Sequence, residues 1–163
     1  KLLFLVAGHG HRPQRALYWL AGFWALGLII FYAASAADAL KPNNAFILRS
    51  PEWAYCAPGY APVNDTPEAA ARSPGSDTSQ RDCFRRQPEA ATYPHFNAGL
   101  YSLDTLLPVV EMEMQQYWIP DETGGWAGLL ARWYLWGHII AGWAFSLFAI
   151  AGFTGLIKAE ETE

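Results

Sequence analysis

Four sets of residues in this chain have the types and spacing to do chemistry. The first lies in FNAGLYSLDTLLPVVEMEMQQYW (96–118), where Asp104, Glu111 and Glu113 sit among apolar neighbours, with Asp121 just beyond. Carboxylates in pairs can serve acid–base catalysis when a neighbour separates their pKa values, and rings of them can select cations. No His, Lys or Arg is placed close in sequence to tune such a pair, which weakens the catalytic reading. The second is His138, within WYLWGHIIAGW. An imidazole inside an apolar helix can ligate haem iron or chlorophyll magnesium, or it can satisfy a neighbouring carbonyl. No second His has matching depth in the other apolar run, so His138 reads as an interfacial or structural histidine and no cofactor is expected. The third is GHGHRP, where His9 and His11 have a spacing that allows two metal ligands but no Cys or Asp partner nearby, so no metal site is expected. The fourth is Cys56 with Cys83.

No nucleophile elbow, P-loop, dinucleotide fingerprint, HExxH or CxxC occurs in the sequence. Catalytic residues are therefore not expected, and the chain does not read as an enzyme. A net charge of −4 supplies no basic footprint for nucleic acid.

The elements that must position these groups are largely apolar. Residues Ala16 to Ala37 run without a charge, Pro, Asn or Gln. At 1.5 Å per residue that run makes about 33 Å of helix, enough for a hydrocarbon core of roughly 30 Å. A second run, Trp133 to Ile157, contains no Asp, Glu, Lys or Arg and is bracketed by Arg132 and Lys158. Charged residues make up only 16% of the chain against the quarter usual in soluble domains, which fits two transmembrane helices. Tyr18, Trp19, Trp126, Trp133, Tyr134 and Trp136 cluster towards the span ends as interfacial belts, while Trp24 and Trp143 lie deeper and point to helix packing.

Two spans put both termini on one side, and Lys1, Arg12 and Arg15 before the first favour the cytoplasm. Both cysteines fall in the segment between the spans, which suits a Cys56–Cys83 disulfide in an oxidising compartment. The expected order is a cytoplasmic juxtamembrane segment (1–15), transmembrane helix 1 (16–37), a loop-rich periplasmic excursion (38–95) with one short helix near Pro67 to Arg72, a short interfacial helix and return segment (96–126), transmembrane helix 2 with its preceding turn (127–157), and an acidic cytoplasmic tail (158–163). Residues 38–130 are then largely periplasmic. The excursion is poor in aliphatics and is expected to lack a core of its own. Leu100 to Leu107 is expected to lie at the interface, with Leu100, Leu103, Leu106 and Leu107 on one side and Asp104 pointing away, stopped by Pro108. Glu111 and Glu113, one residue apart, would face the same way in extended backbone.

Small residues mark the expected packing faces: Gly137, Ala141, Ala144, Ala151 and Gly155 on the second span, and Ala21 and Ala25 on the first, beside Gly22 and Gly27.

The stretch LYSLDTLLPVVE is similar to the pore segment of potassium channels over about a dozen residues, but Pro-Val-Val-Glu stands where the filter Gly-Tyr-Gly would be. That departure removes potassium selectivity by backbone carbonyls and leaves an acidic ring at Glu111 as the way such a layout would select cations. Taken together, GHGHRPQRALYWL, FNAGLYSLDTLLPVVEMEMQQYW and ARWYLWGHIIAGWAFSLFAIAGFTGL resemble the C-terminal two-span membrane region of bacterial pentapeptide-repeat proteins. The resemblance implies an inner-membrane module without established catalysis, and a start at Lys1 fits a chain whose beginning is missing or trimmed. Two functions follow as expectations. One is a non-catalytic anchor or accessory subunit that packs against other integral membrane proteins and lipids, an energy-converting complex being one such assembly. The other is a homo-oligomeric, pore-loop-like cation channel around Glu111.

Overall fold

The computed structural model describes residues 14–59 and 79–153. His9, His11, the short helix near Pro67 to Arg72, Gly155 and the acidic tail lie outside the described residues. In chain order the elements are α1 (Gln14–Ala36), β1 (Leu40–Pro42), α2 (Ala45–Leu48), α3 (Pro51–Tyr55), α4 (Gln80–Arg86), a single 3-10 turn (Pro88–Ala90), α5 (Ala98–Leu106), α6 (Met114–Tyr117), β2 (Trp118–Pro120) and α7 (Trp126–Phe153).

Two helices are long and apolar enough to cross a membrane, one over Arg15–Ala36 and one over Trp126–Ala151. They run antiparallel: Phe31 meets Tyr134 edge-on at 5.6 Å, and Phe23 meets Phe145 at 5.3 Å, between ring centroids. Each helix is apolar on all sides, and their free flanks expose Tyr18, Ile29 and Tyr32 on α1 and Trp126, Trp133, Ile140 and Leu147 on α7. α1 stops where Asp38 takes a left-handed backbone (φ 52) and the Ala39 N–H donates back to the Ala34 carbonyl at 2.9 Å.

The chain is then tied to its own later part. β1 and β2 form an antiparallel ladder with Leu40 opposite Pro120 and Pro42 opposite Trp118. A proline in both of these three-residue strands limits the ladder to a short clamp. Beside it, Lys41 Nζ donates to Asp121 Oδ1 at 2.9 Å. Burial alone would raise the Asp121 pKa, but the bonds from Lys41 and Thr123 outweigh it and hold the carboxyl below the usual carboxylate range. A depressed folded-state pKa gives stability that is present above the unfolded value of about 3.9 and is lost as pH falls through the folded one. Asp121→Asn is accordingly expected to lower thermal stability at neutral pH, the gap from the parent starting to close only below about pH 3.9 and closing as pH falls through the folded-state value, the comparison being a melting series across pH.

The outer segment has a small core, contrary to the expectation from its composition. Cys56 and Cys83 are joined, with Cα atoms 5.6 Å apart, and are buried with Phe84 and Ala90 against Ile47, Trp53 and Tyr93. Aromatic rings replace the missing aliphatics: Phe84 makes edge-on contacts with Trp53 at 5.4 Å and with Tyr93 at 5.7 Å. Burial, with Tyr117 alongside, pushes the Tyr93 phenol up to about 12. Ser79 caps α4 by accepting from the Asp82 N–H, and the Gln80 N–H donates to Asp38 Oδ2 at 2.9 Å, so this unit is pinned to the end of α1. Cys56→Ser with Cys83→Ser is expected to remove about 3.6 kcal/mol, the chain-entropy value for closing a loop of about 28 residues. Faster limited proteolysis between Gly59 and Ser79 would register it.

Candidate functional site

The inserted helix α5 is the feature that brings polar groups together. Asn97 caps it, its side chain accepting from the Leu100 N–H at 3.0 Å. Tyr101, Ser102, Thr105 and Leu106 form its buried face, whereas Leu100 is 43% exposed. This corrects the expected leucine face: the helix does not lie flat on an apolar side but packs across α1 and α7. Ser102 and Thr105 tolerate that position because each finds a partner, whereas the Tyr101 hydroxyl is buried without one. Thr105 Oγ1 donates to the Tyr101 carbonyl at 2.8 Å, and Ser102 Oγ donates to the Trp24 carbonyl at 2.9 Å.

The crossing lies about midway along both long helices. Trp24 Nε1 donates to the Gly99 carbonyl at 3.1 Å. Gly27 is the notch that admits the contact, since a Cβ there would overlap Ser102 Oγ and stand 2.8 Å from His138 Cε1. Gly142 does the same for α7, where a Cβ would overlap the Leu106 carbonyl. Because α1 has 23 residues and α7 has 28, Gly27 and Gly142 stand near their middles.

His138 is held at this crossing, level with Phe31 and Gly27 rather than near the outer end of its helix, and is 1% exposed. Nε2 lies 3.1 Å from the Ser102 carbonyl, an acceptor only, so this nitrogen carries the proton. Nδ1 is left with a lone pair that accepts from Tyr134 Oη at 3.1 Å. A haem or pigment contact would have to displace one of these partners. Ser102 Oγ is 3.3 Å from Nε2, the relation of a nucleophile to its base, but its proton points to the Trp24 carbonyl and the atoms are enclosed. The trio is a packing lock.

Beyond α5 the chain returns through 107–113 without regular helix. Asp104 does not point away: its carboxylate accepts from the Met112 N–H and, at 2.9 Å, from the Gln115 N–H, which fixes the return. Glu113 adopts a left-handed backbone (φ 62) ahead of α6, so Glu111 and Glu113 are not joined by extended chain. Both are exposed, and among the described residues no cation pairs with either. They border a groove of about 300 Å³ with Asp104, Pro108, Ile139 and Trp143. Val109 beside it is 81% exposed and Trp143 is 53% exposed.

The residues of the small-residue stripe do not make the closest approaches within the chain. Gly137, Ala21 and Ala25 are exposed, and Ala141, Ala144 and Ala151 are half-buried. Within the chain, α7 turns Ala131, Leu135, His138, Gly142 and Ala149 inwards instead. Of the polar groups of α5 and its seat, the sequence marks Asp104 and His138 for chemistry, Tyr134 only as part of an interfacial belt and Gly27 only as a packing position, and it marks neither Ser102, Thr105 nor Gly142. Ser102, Tyr134, Gly27 and Gly142 carry the crossing, and the signal for it was a glycine near the middle of each apolar run. Among the described residues no group of three or more His, Cys, Asp or Glu is arranged to hold a metal ion. No protein-family model, curated protein or solved structure matches this chain significantly.

Proposed function

We propose that this chain is a non-catalytic integral membrane subunit, re-entrant through α5, that is completed by other membrane protein over the face carrying Glu111 and Glu113. The carrying observation is the non-helical return 107–113, with two unpaired carboxylates, alongside Ile139 and Trp143 of α7. Backbone outside a helix is tolerated at membrane depth only where protein or enclosed water covers it. A carboxylate facing lipid at that depth costs about 3 kcal/mol on insertion scales. The membrane reading itself draws on the most apolar windows of the two long helices, of which only 17% and 22% is buried within the chain. A core helix of a soluble protein would bury most of its length. The topology that goes with it is a bacterial inner membrane with both termini cytoplasmic and residues 38–130 largely periplasmic apart from the re-entrant stretch 98–113.

A photo-crosslinking residue at Val109 tests this in intact membranes. Adducts to another membrane polypeptide are expected; adducts to lipid alone would overturn the reading. A second reading, an oligomeric cation channel, is favoured by one observation: α5 descends to the middle of the long helices and the chain turns back beside carboxylates. Planar-bilayer recording separates the two. The subunit reading expects no current that depends on Glu111, and a cation current abolished by Glu111→Gln would install the channel in its place.

A further inference from the structure

We propose that the covering element is a membrane helix of another protein that carries an arginine or lysine level with Glu111 and Glu113. This rests on reading the face as a protein interface and names the chemistry of its occupant. The two carboxylates are exposed, and four of this chain's described cations are engaged elsewhere: Lys41 with Asp121, Arg132 with Glu122, Arg81 with Ser35, and Arg85 with His95; the other three, Arg15, Arg49 and Arg86, form no ion pair with either carboxylate. Lys41, Arg81 and Arg85 belong to the clamp and the outer unit, and Arg132 lies in the first turns of α7, whereas the acidic groove is bordered by Ile139 and Trp143 further along.

The groove around the carboxylates is lined by Asp104, Thr105, Gln115 and Gln116 on one hand and by Leu107, Val110, Ile139 and Trp143 on the other. Val109 beside it is 81% exposed, and Trp143 within it 53%, an apolar surface that suits side chains of a neighbouring helix. A partner that fills this groove must offer polar as well as apolar groups. A second copy of this chain presenting the same face would set Glu111 and Glu113 against their own kind. Charge complementarity therefore selects a cationic partner. Gln115 and Gln116, which also border the groove, offer side-chain carbonyls to its remaining N–H donors.

The test reconstitutes the full chain in phosphatidylcholine nanodiscs with a synthetic Leu–Ala helix of about 24 residues bearing one central Arg. A matched helix with Gln at that position is the control, and association is read by fluorescence transfer. The Arg helix is expected to associate at least tenfold more tightly than the Gln helix. Glu111→Gln with Glu113→Gln is expected to erase that preference, while Glu111→Asp with Glu113→Asp retains most of it. Far-UV circular dichroism and the intact Cys56–Cys83 bond establish that each variant is folded. Equal association of the two helices, or a preference that survives the double Gln variant, would overturn the proposal. Crosslinks from Val109 to another polypeptide would then still leave the interface itself in place.

Discussion

Gly142→Ala is expected to destabilise the isolated chain by about 2–3 kcal/mol, although alanine is the better helix former. The added Cβ meets a backbone atom, the Leu106 carbonyl, which no rotamer change can move aside. α5 must shift away from α7, and the loosened crossing takes Ser102 and His138 with it. Gly27→Ala acts in the same direction through Ser102 Oγ and the His138 ring, both fixed by hydrogen bonds. Gly22→Ala and Gly137→Ala supply the contrast, because nothing lies within 4 Å of a Cβ at either position. There the gain of roughly 0.5–1 kcal/mol in helix propensity should appear undiluted. Thermal unfolding in one detergent would read opposite signs for the two pairs. A common sign would mean that α5 does not seat on these glycines.

The second large effect is expected at His138. His138→Leu keeps the volume close to that of imidazole but leaves the Ser102 carbonyl and the Tyr134 hydroxyl without their shared partner. With about 1–3 kcal/mol for each buried polar group deprived of its bond, a loss near 3 kcal/mol follows. Tyr134 Oη has an alternative acceptor in the Phe23 carbonyl at 3.5 Å, which caps the penalty on that side. His138→Gln restores a donor towards Ser102 and is expected to recover about half of the loss. Amide hydrogen exchange across 98–107 is the direct measure, since the leucine variant should speed it most where α5 rests on the lock. Unchanged exchange would remove His138 from the structural role assigned here.

The two long helices were legible because charge-free length is a one-dimensional signal. The disulfide was legible because both cysteines fall between the long helices. The seat of α5 was not, and the reason is physical. Leu100, Leu103, Leu106 and Leu107 suggest an apolar side, but Tyr101, Ser102 and Thr105 enter the packed side because backbone carbonyls on α1 and α5 satisfy their hydroxyls or because rings enclose them. Sequence pattern records polarity, not whether a partner stands opposite. The small residues were ambiguous for a related reason. Both long helices carry them on more than one side, and only a backbone close by distinguishes Gly142 from Gly137. Asp104 was misjudged because a carboxylate that accepts two backbone N–H groups across a turn looks, in sequence, like any surface acid.

The short ladder between Leu40–Pro42 and Trp118–Pro120 also sets a timetable. Lys41 and Asp121 are separated by 80 positions, and Ser102 lies 78 positions after the Trp24 carbonyl it binds. At a synthesis rate of about 5–20 residues per second, the first long helix leaves the ribosome several seconds before either partner exists. During that interval the Gly27 notch stands open. α5 can meet α1 through Trp24 and Ser102 as soon as it emerges, but its seat is complete only when α7 brings His138 and Gly142. On the proposed membrane reading, the expected order is that the two long helices enter first, the disulfide-bonded unit closes over their ends, and the seat of α5 between them is completed last. A pulse-chase that scored oxidation of Cys56–Cys83 against protection of 98–107 would show the bond appearing first.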